Sequence, residues 1–124
     1  MRCNYFEAGQ CRSCTLLELP YPAQVAQKVA AVSALLDHEA LSWLPPVTSR
    51  PDRFRNKAKL GVGGSVAAPL LGIQRPDGVQ DLAACPLHEE PIEAALPHLK
   101  DFIRVASLTP YDLASRTGEL KYVL

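Results

Sequence analysis

The apolar positions of this chain fall into two helical runs with a stretch of short alternating segments between them. In the first run Val25, Val29, Val32, Leu35 and Leu36 recur at spacings of four, three, three and one, with Gln24, Gln27, Lys28 and Ser33 off the stripe. Pro22 suits a first helical turn, where the N–H it lacks would have no partner anyway. A helix from about Ala23 to His38 is predicted, with its stripe packed into the core. In the second run Ile92, Ala95, Leu96, Leu99, Ile103 and Ala106 return every three or four positions between Pro91 and Ser107. Pro97 lies inside that run and should start a helix there or kink one.

Between the two runs the period changes to two. Phe54, Asn56, Ala58, Leu60 and Val62 share one parity, and Arg55, Lys57 and Lys59 share the other, as on a strand with two distinct faces. Gly61, Gly63 and Gly64 follow and are read as a bulge or a close backbone approach. Leu70 to Arg75 reads as a second strand and Arg75-Pro76-Asp77-Gly78 as a turn, proline presetting one dihedral and glycine accepting positive φ. A short third strand from Val79 toward Ala84 then delivers Cys85. After a turn at Gly118, Glu119 to Leu124 reads as a last strand, and an apolar run there with no polar tail suggests the front part of a longer protein. Pro45-Pro46 marks an extended connection or an edge strand. The pattern predicts an α+β domain: a small antiparallel sheet with two main helices.

Composition sharpens this only in places. With 124 residues the chain fits one domain, and its 11 prolines argue against a helical bundle. The formal net charge is zero, so any affinity for nucleic acid must be local. It is local: Arg50, Arg53, Arg55, Lys57 and Lys59 against Asp52 give five positive charges minus one negative, net +4 within ten positions. Arg55, Lys57 and Lys59 are the candidate phosphate contacts, with a solvated strand face as the plainer reading. No apolar run is long enough to span a membrane. The N-terminus lacks the apolar segment of a secretory signal, so a cytoplasmic monomer with reduced thiols is expected.

The candidate chemistry lies in the cysteines. Cys3, Cys11 and Cys14 sit in the first fourteen residues, and the fourth, Cys85, precedes Pro86. Soft thiolates select zinc, copper(I) or iron–sulfur clusters. Zinc usually draws on two compact ligand pairs, whereas three ligands from one loop and one remote Cys-Pro suit a [4Fe–4S] cluster. Zinc, two disulfides or four buried thiols are the alternatives. His38, His88 and His98 show no ligand spacing. His88 is close enough to Cys85 to replace a ligand in a zinc site, although a surface position is expected for it. No phosphate loop and no nucleophile with an adjacent base stands out.

The order Cys3-x7-Cys11-x2-Cys14, Phe54-Arg55-Asn56-Lys57, Leu71-Gly72, Cys85-Pro86 and Gly118-Glu119-Leu120-Lys121 resembles the bacterial RNA (uracil-C5)-methyltransferases along essentially the whole chain. The resemblance implies that Cys3, Cys11, Cys14 and Cys85 hold a [4Fe–4S] cluster, and that the Phe-Arg-Asn-Lys segment belongs to a central domain beside the bound RNA. Relatives often carry a β-barrel ahead of the cluster. This chain starts almost at the first cysteine, which points to the subgroup acting on 23S ribosomal RNA. The implied organisation is a cluster-ligand loop over residues 1–20 and a central α+β domain over 21–124. The S-adenosylmethionine-binding domain, the nucleophilic cysteine that adds to uracil C6 and the base that removes the C5 proton would lie downstream, so this chain alone would be inactive. Two other classes stay open on the residues themselves: a stand-alone RNA-binding module stabilised by zinc or an iron–sulfur cluster, and an iron–sulfur electron carrier.

Overall fold

A computed structural model describes residues 1–36 and 40–124. The elements are α1 (Asn4–Glu7), α2 (Tyr21–Leu35), β1 (Leu60–Gly64), β2 (Pro69–Arg75), β3 (Gly78–Asp81), α3 (Glu90–Val105) and β4 (Tyr122–Val123). The strands form one sheet in the order β3-β2-β1-β4, antiparallel throughout. The expected α+β class, antiparallel sheet and two long helices are therefore present. A third, single-turn helix lies in the N-terminal loop, where no helix was expected.

Leu60 and Val62 of β1 and Leu71 of β2 project onto Leu96 and Ile103 of α3, forming the buried core. Ala58, Leu99, Leu108, Leu120 and Val123 pack around its margin. Each such side chain stabilises the fold by about 1.5–3 kcal/mol when fully buried. Asp81, at the end of β3, locks this arrangement from the side. Its Oδ1 accepts the Leu71 N–H at 2.9 Å and sits 2.7 Å from the Lys100 ammonium on α3.

The sheet is tightly coiled, and glycine makes that possible. A Cβ on Gly63 would lie 2.6 Å from the Val79 side chain, and one on Gly72 would collide with the Gln80 carbonyl oxygen. The close backbone approach expected at the glycine run is thus real, and β3 folds over the glycine face of β1. Helix α3 ends on Ser107, which takes a left-handed φ of 54°, with Leu108 N–H bonded to the Ile103 carbonyl. That cap returns Leu108 to the core without a glycine.

Several expectations are corrected. The α2 stripe does not enter the core: α2 has no buried residue and no extensive contact with another helix or strand. The reason is that α3 already covers one face of the sheet, and β3 closes the other over Gly61 and Gly63. The helix starts two residues before Ala23, with Pro22 in its first turn, and His38 lies outside the described residues. The strand expected from Phe54 begins only at Leu60. Arg55 joins an isolated parallel bridge with His88, and residues 56–59 belong to no strand, so the cations form no row on the sheet. Pro97 neither starts nor divides α3, which runs through it with the Glu93 carbonyl left free of its usual partner. The third and fourth strands are shorter than expected, because a turn closed by the Cys85 N–H on the Leu82 carbonyl follows β3, and Leu120 bridges to Pro110 instead. The Pro45-Pro46 segment is a connection, not a strand.

Gly72→Ala should be among the most damaging single changes in this fold. A loss of about 3 kcal/mol in urea denaturation is expected, at the upper end for overpacking. Gly61→Ala, whose nearest contact would be 3.4 Å, should cost clearly less.

Candidate metal centre

The N-terminal loop is built by its own backbone and then pinned to the sheet. The Cys3 carbonyl accepts the N–H groups of Phe6 and Glu7, and the Tyr5 carbonyl accepts those of Gln10 and Cys11. Gly9, at φ 69°, turns the chain between them. Two long-range bonds hold the loop in place: the Ala84 N–H donates to the Tyr5 hydroxyl at 3.2 Å, and the Arg75 guanidinium donates to the Gln10 carbonyl at 2.9 Å. Burial raises the Tyr5 phenol, partly offset by that Ala84 bond. Neither Tyr5 nor Arg75 carried a sequence signal for this role, since only the folded meander puts them within reach.

The segment after Cys85 is held from the opposite side. Arg53 N–H donates to the Pro86 carbonyl, Arg55 N–H to the Leu87 carbonyl, and Glu89 N–H returns to the Arg55 carbonyl, at 2.9, 2.8 and 3.1 Å. Arg53 takes a left-handed φ of 45°, and its guanidinium reaches Glu93 on α3 at 3.1 Å. The Phe54-Arg55-Asn56-Lys57 segment is therefore a brace for the Cys85-Pro86 turn, a role its alternation did not reveal. His88 is not on the surface: it is 2% exposed, and its Nδ1 has no partner among the described residues. Burial and then Arg55 hold the imidazole below its usual range, with Glu93 opposing.

With both sides fixed, Cys3, Cys11, Cys14 and Cys85 line one small cavity of about 20 Å³, closed by Tyr5, Phe6 and Leu82 among others. All four are free thiols in this structure. Cys3 is buried and the other three are half-buried. Burial raises the Cys14 thiol, and the charges of Cys85, Cys11 and Cys3 raise it further. Cys85 is likewise raised by burial, with the Leu87 N–H and Arg55 pulling it partly back. Among the described residues no group of three or more His, Cys, Asp or Glu side chains is arranged to hold a metal. What converges is a looser ring of four soft donors around a shared space.

The candidate RNA contacts Arg55, Lys57 and Lys59 are all exposed. Lys59 lies 4.1 Å from the Tyr122 ring centroid, and Lys121 lies 5.0 Å from that of Tyr111. The basic segment thus continues into an aromatic edge at β4. No helix among the described residues is long and apolar enough to cross a membrane.

No family model matches the chain, and no solved structure matches it. Curated proteins do. Over 126 aligned residues it is 48% identical to the 23S rRNA (uracil(747)-C(5))-methyltransferase RlmC of Yersinia pestis (strain Pestoides F). It is also 48% identical to the protein of that name from Yersinia pseudotuberculosis serotype I (strain IP32953), and 47% identical to that from Serratia proteamaculans (strain 568). Each alignment takes in 100% of this chain and 34% of the relative, so the chain spans about a third of the length of the proteins it matches. Along its whole length the chain is therefore similar to one third of the RlmC-type 23S rRNA (uracil-C5)-methyltransferases, the family its motifs resemble.

Proposed function

We propose that this chain is the cluster-bearing, RNA-positioning part of an S-adenosylmethionine-dependent enzyme that methylates uracil C5 in 23S ribosomal RNA, at the uridine corresponding to position 747 in the relatives' name. The observation that carries this reading is 48% identity in an alignment that takes in the whole chain. Cys3, Cys11, Cys14 and Cys85 would hold a [4Fe–4S] cluster, a reading supported by the softness of the four donors and by their lining one cavity. The cluster would tie the N-terminal loop to the meander. Arg55, Lys57 and Lys59 would meet RNA phosphates. S-adenosylmethionine and the nucleophile belong, in this reading, to the rest of a longer cytoplasmic, monomeric polypeptide. A zinc-held RNA-binding module or an electron carrier shares the thiols but leaves the end-to-end identity unexplained.

Anaerobically purified full-length protein should be brown, contain iron and acid-labile sulfide, and transfer methyl groups from S-adenosylmethionine to 23S ribosomal RNA. The 124-residue chain alone should transfer none. Colourless protein with stoichiometric zinc would sink the cluster, and cluster-containing protein inert on 23S RNA would sink the activity. Cys85→Ser should speed hydrogen exchange both in residues 1–20 and near the end of β3, since structural metal sites contribute folding free energy directly.

Metal-free protein should show a distinctive pH dependence. The Cys14 and Cys85 thiols are raised on folding, so their contribution is intact below the unfolded thiol value of about 8.5 and is lost as pH climbs through the folded values. Urea midpoints of the metal-free form should fall from pH 8 to pH 10, and Cys85→Ser should flatten that fall. With thiolates bound to metal the sign reverses, and acid becomes the destabilising direction.

RNA binding by the full-length protein should weaken with salt at about −0.7 per phosphate contact on single strands. Replacing Lys57 and Lys59 together by alanine should reduce that slope by about 1.4 and weaken all sequences alike. An unchanged slope would leave these lysines as solvated surface.

A further inference from the structure

The face that α2 leaves open is larger than a free-standing domain keeps. Val32 and Leu35 on α2 are 45% and 73% exposed, and Trp43, Leu44 and Val47 beyond it are 52%, 84% and 99% exposed. The whole chain exposes 8660 Å². A compact monomer of 13.5 kDa exposes about 6,500 Å². The excess of about 2,100 Å² is what one partner contributes to a large, permanent interface, and far exceeds an ordinary surface patch.

The chemistry of the helix agrees. Lys28 is the only charged residue among the 15 of α2, and Gln24, Gln27 and Ser33 add only neutral polar groups to its polar side. Its anchors are confined to its first turn, where Gln24 donates to the Leu19 carbonyl and the Tyr21 hydroxyl accepts the Ser49 N–H at 3.1 Å. The rest of α2 makes no extensive contact with the sheet or α3, and Trp43, Leu44 and Val47 are exposed.

We infer that α2 and residues 40–47 form an intramolecular interface, covered by the polypeptide of the full-length protein that lies outside these 124 residues. Chain length selects this occupant. The relatives are about three times as long as their aligned portion, which supplies ample chain, and the buried core of a covered face is depleted of charge, as α2 is. The inference rests on the proposed reading only in taking the full-length protein to be longer than this chain.

The test is hydroxyl-radical footprinting of the full-length protein, with its monomeric fraction isolated by size exclusion. Val105 on α3, 85% exposed, serves as the internal reference. Leu35, Trp43 and Leu44 should react about tenfold more slowly than their exposure here implies, as core positions of an interface do. Leu35→Asp with Leu44→Asp should restore fast oxidation of Trp43 while leaving protection in β1 and β2 unchanged. Fast oxidation at all three positions in the wild-type monomer overturns the inference. Protection confined to a dimeric fraction also overturns it, in favour of a second copy. Loss of methyl transfer with protection intact rejects the activity and supports the interface. Methyl transfer with full exposure rejects the interface alone.

Discussion

Three backbone hydrogen bonds between residues 53–55 and 86–89 set the arrangement of everything around the cysteines. They join a segment that leaves the α2 arm to the turn that carries Cys85, and Glu89 then opens α3 directly from the same junction. The brace therefore fixes three things together: the height of Cys85 over the N-terminal loop, the start of the core helix, and the departure of the basic segment toward the β4 edge. Side chains reinforce it, since Arg53 ties the junction to α3 and Asp81 ties α3 to the sheet. The buried His88 fills the space inside the junction.

Where local pattern and tertiary demand agree, the chain could be read directly. The Arg75-Pro76-Asp77-Gly78 turn, the glycine approach and the α3 period are each dictated by steric or burial rules that act within a few residues. Even so, α3 runs through Pro97, because packing of Leu96 and Ile103 on either side outweighs one lost hydrogen bond. The basic segment misled for a related reason. Its alternation is genuine from Ala58 onward, but at Arg55 the backbone pairs with residues 33 positions away, and no local signal announces such a partner.

The α2 stripe misled in a different way. Its periodicity correctly reports a helix with an apolar face, yet periodicity is silent on what lies against that face. The grouping of the cysteines was readable from their spacing, because three thiols in one loop and a fourth at a turn can meet only if the meander returns to the N-terminus. The supports were not readable: Tyr5, Arg75 and Gly9 act through positions that only the finished sheet brings together.

The separation of the fourth thiol has a consequence for biosynthesis. Cys85 follows Cys14 by 71 residues. At about 5–20 residues per second, a ribosome needs roughly 4–14 s to make that stretch, and the meander must then leave the exit tunnel before it can fold. Throughout that interval the nascent chain displays Cys3, Cys11 and Cys14 as an incomplete, solvent-accessible set. Under the cluster reading proposed above, those three sulfurs would have to stay reduced and unoccupied until β3 turns back, and the order of the cysteines along the chain would set a timetable for maturation.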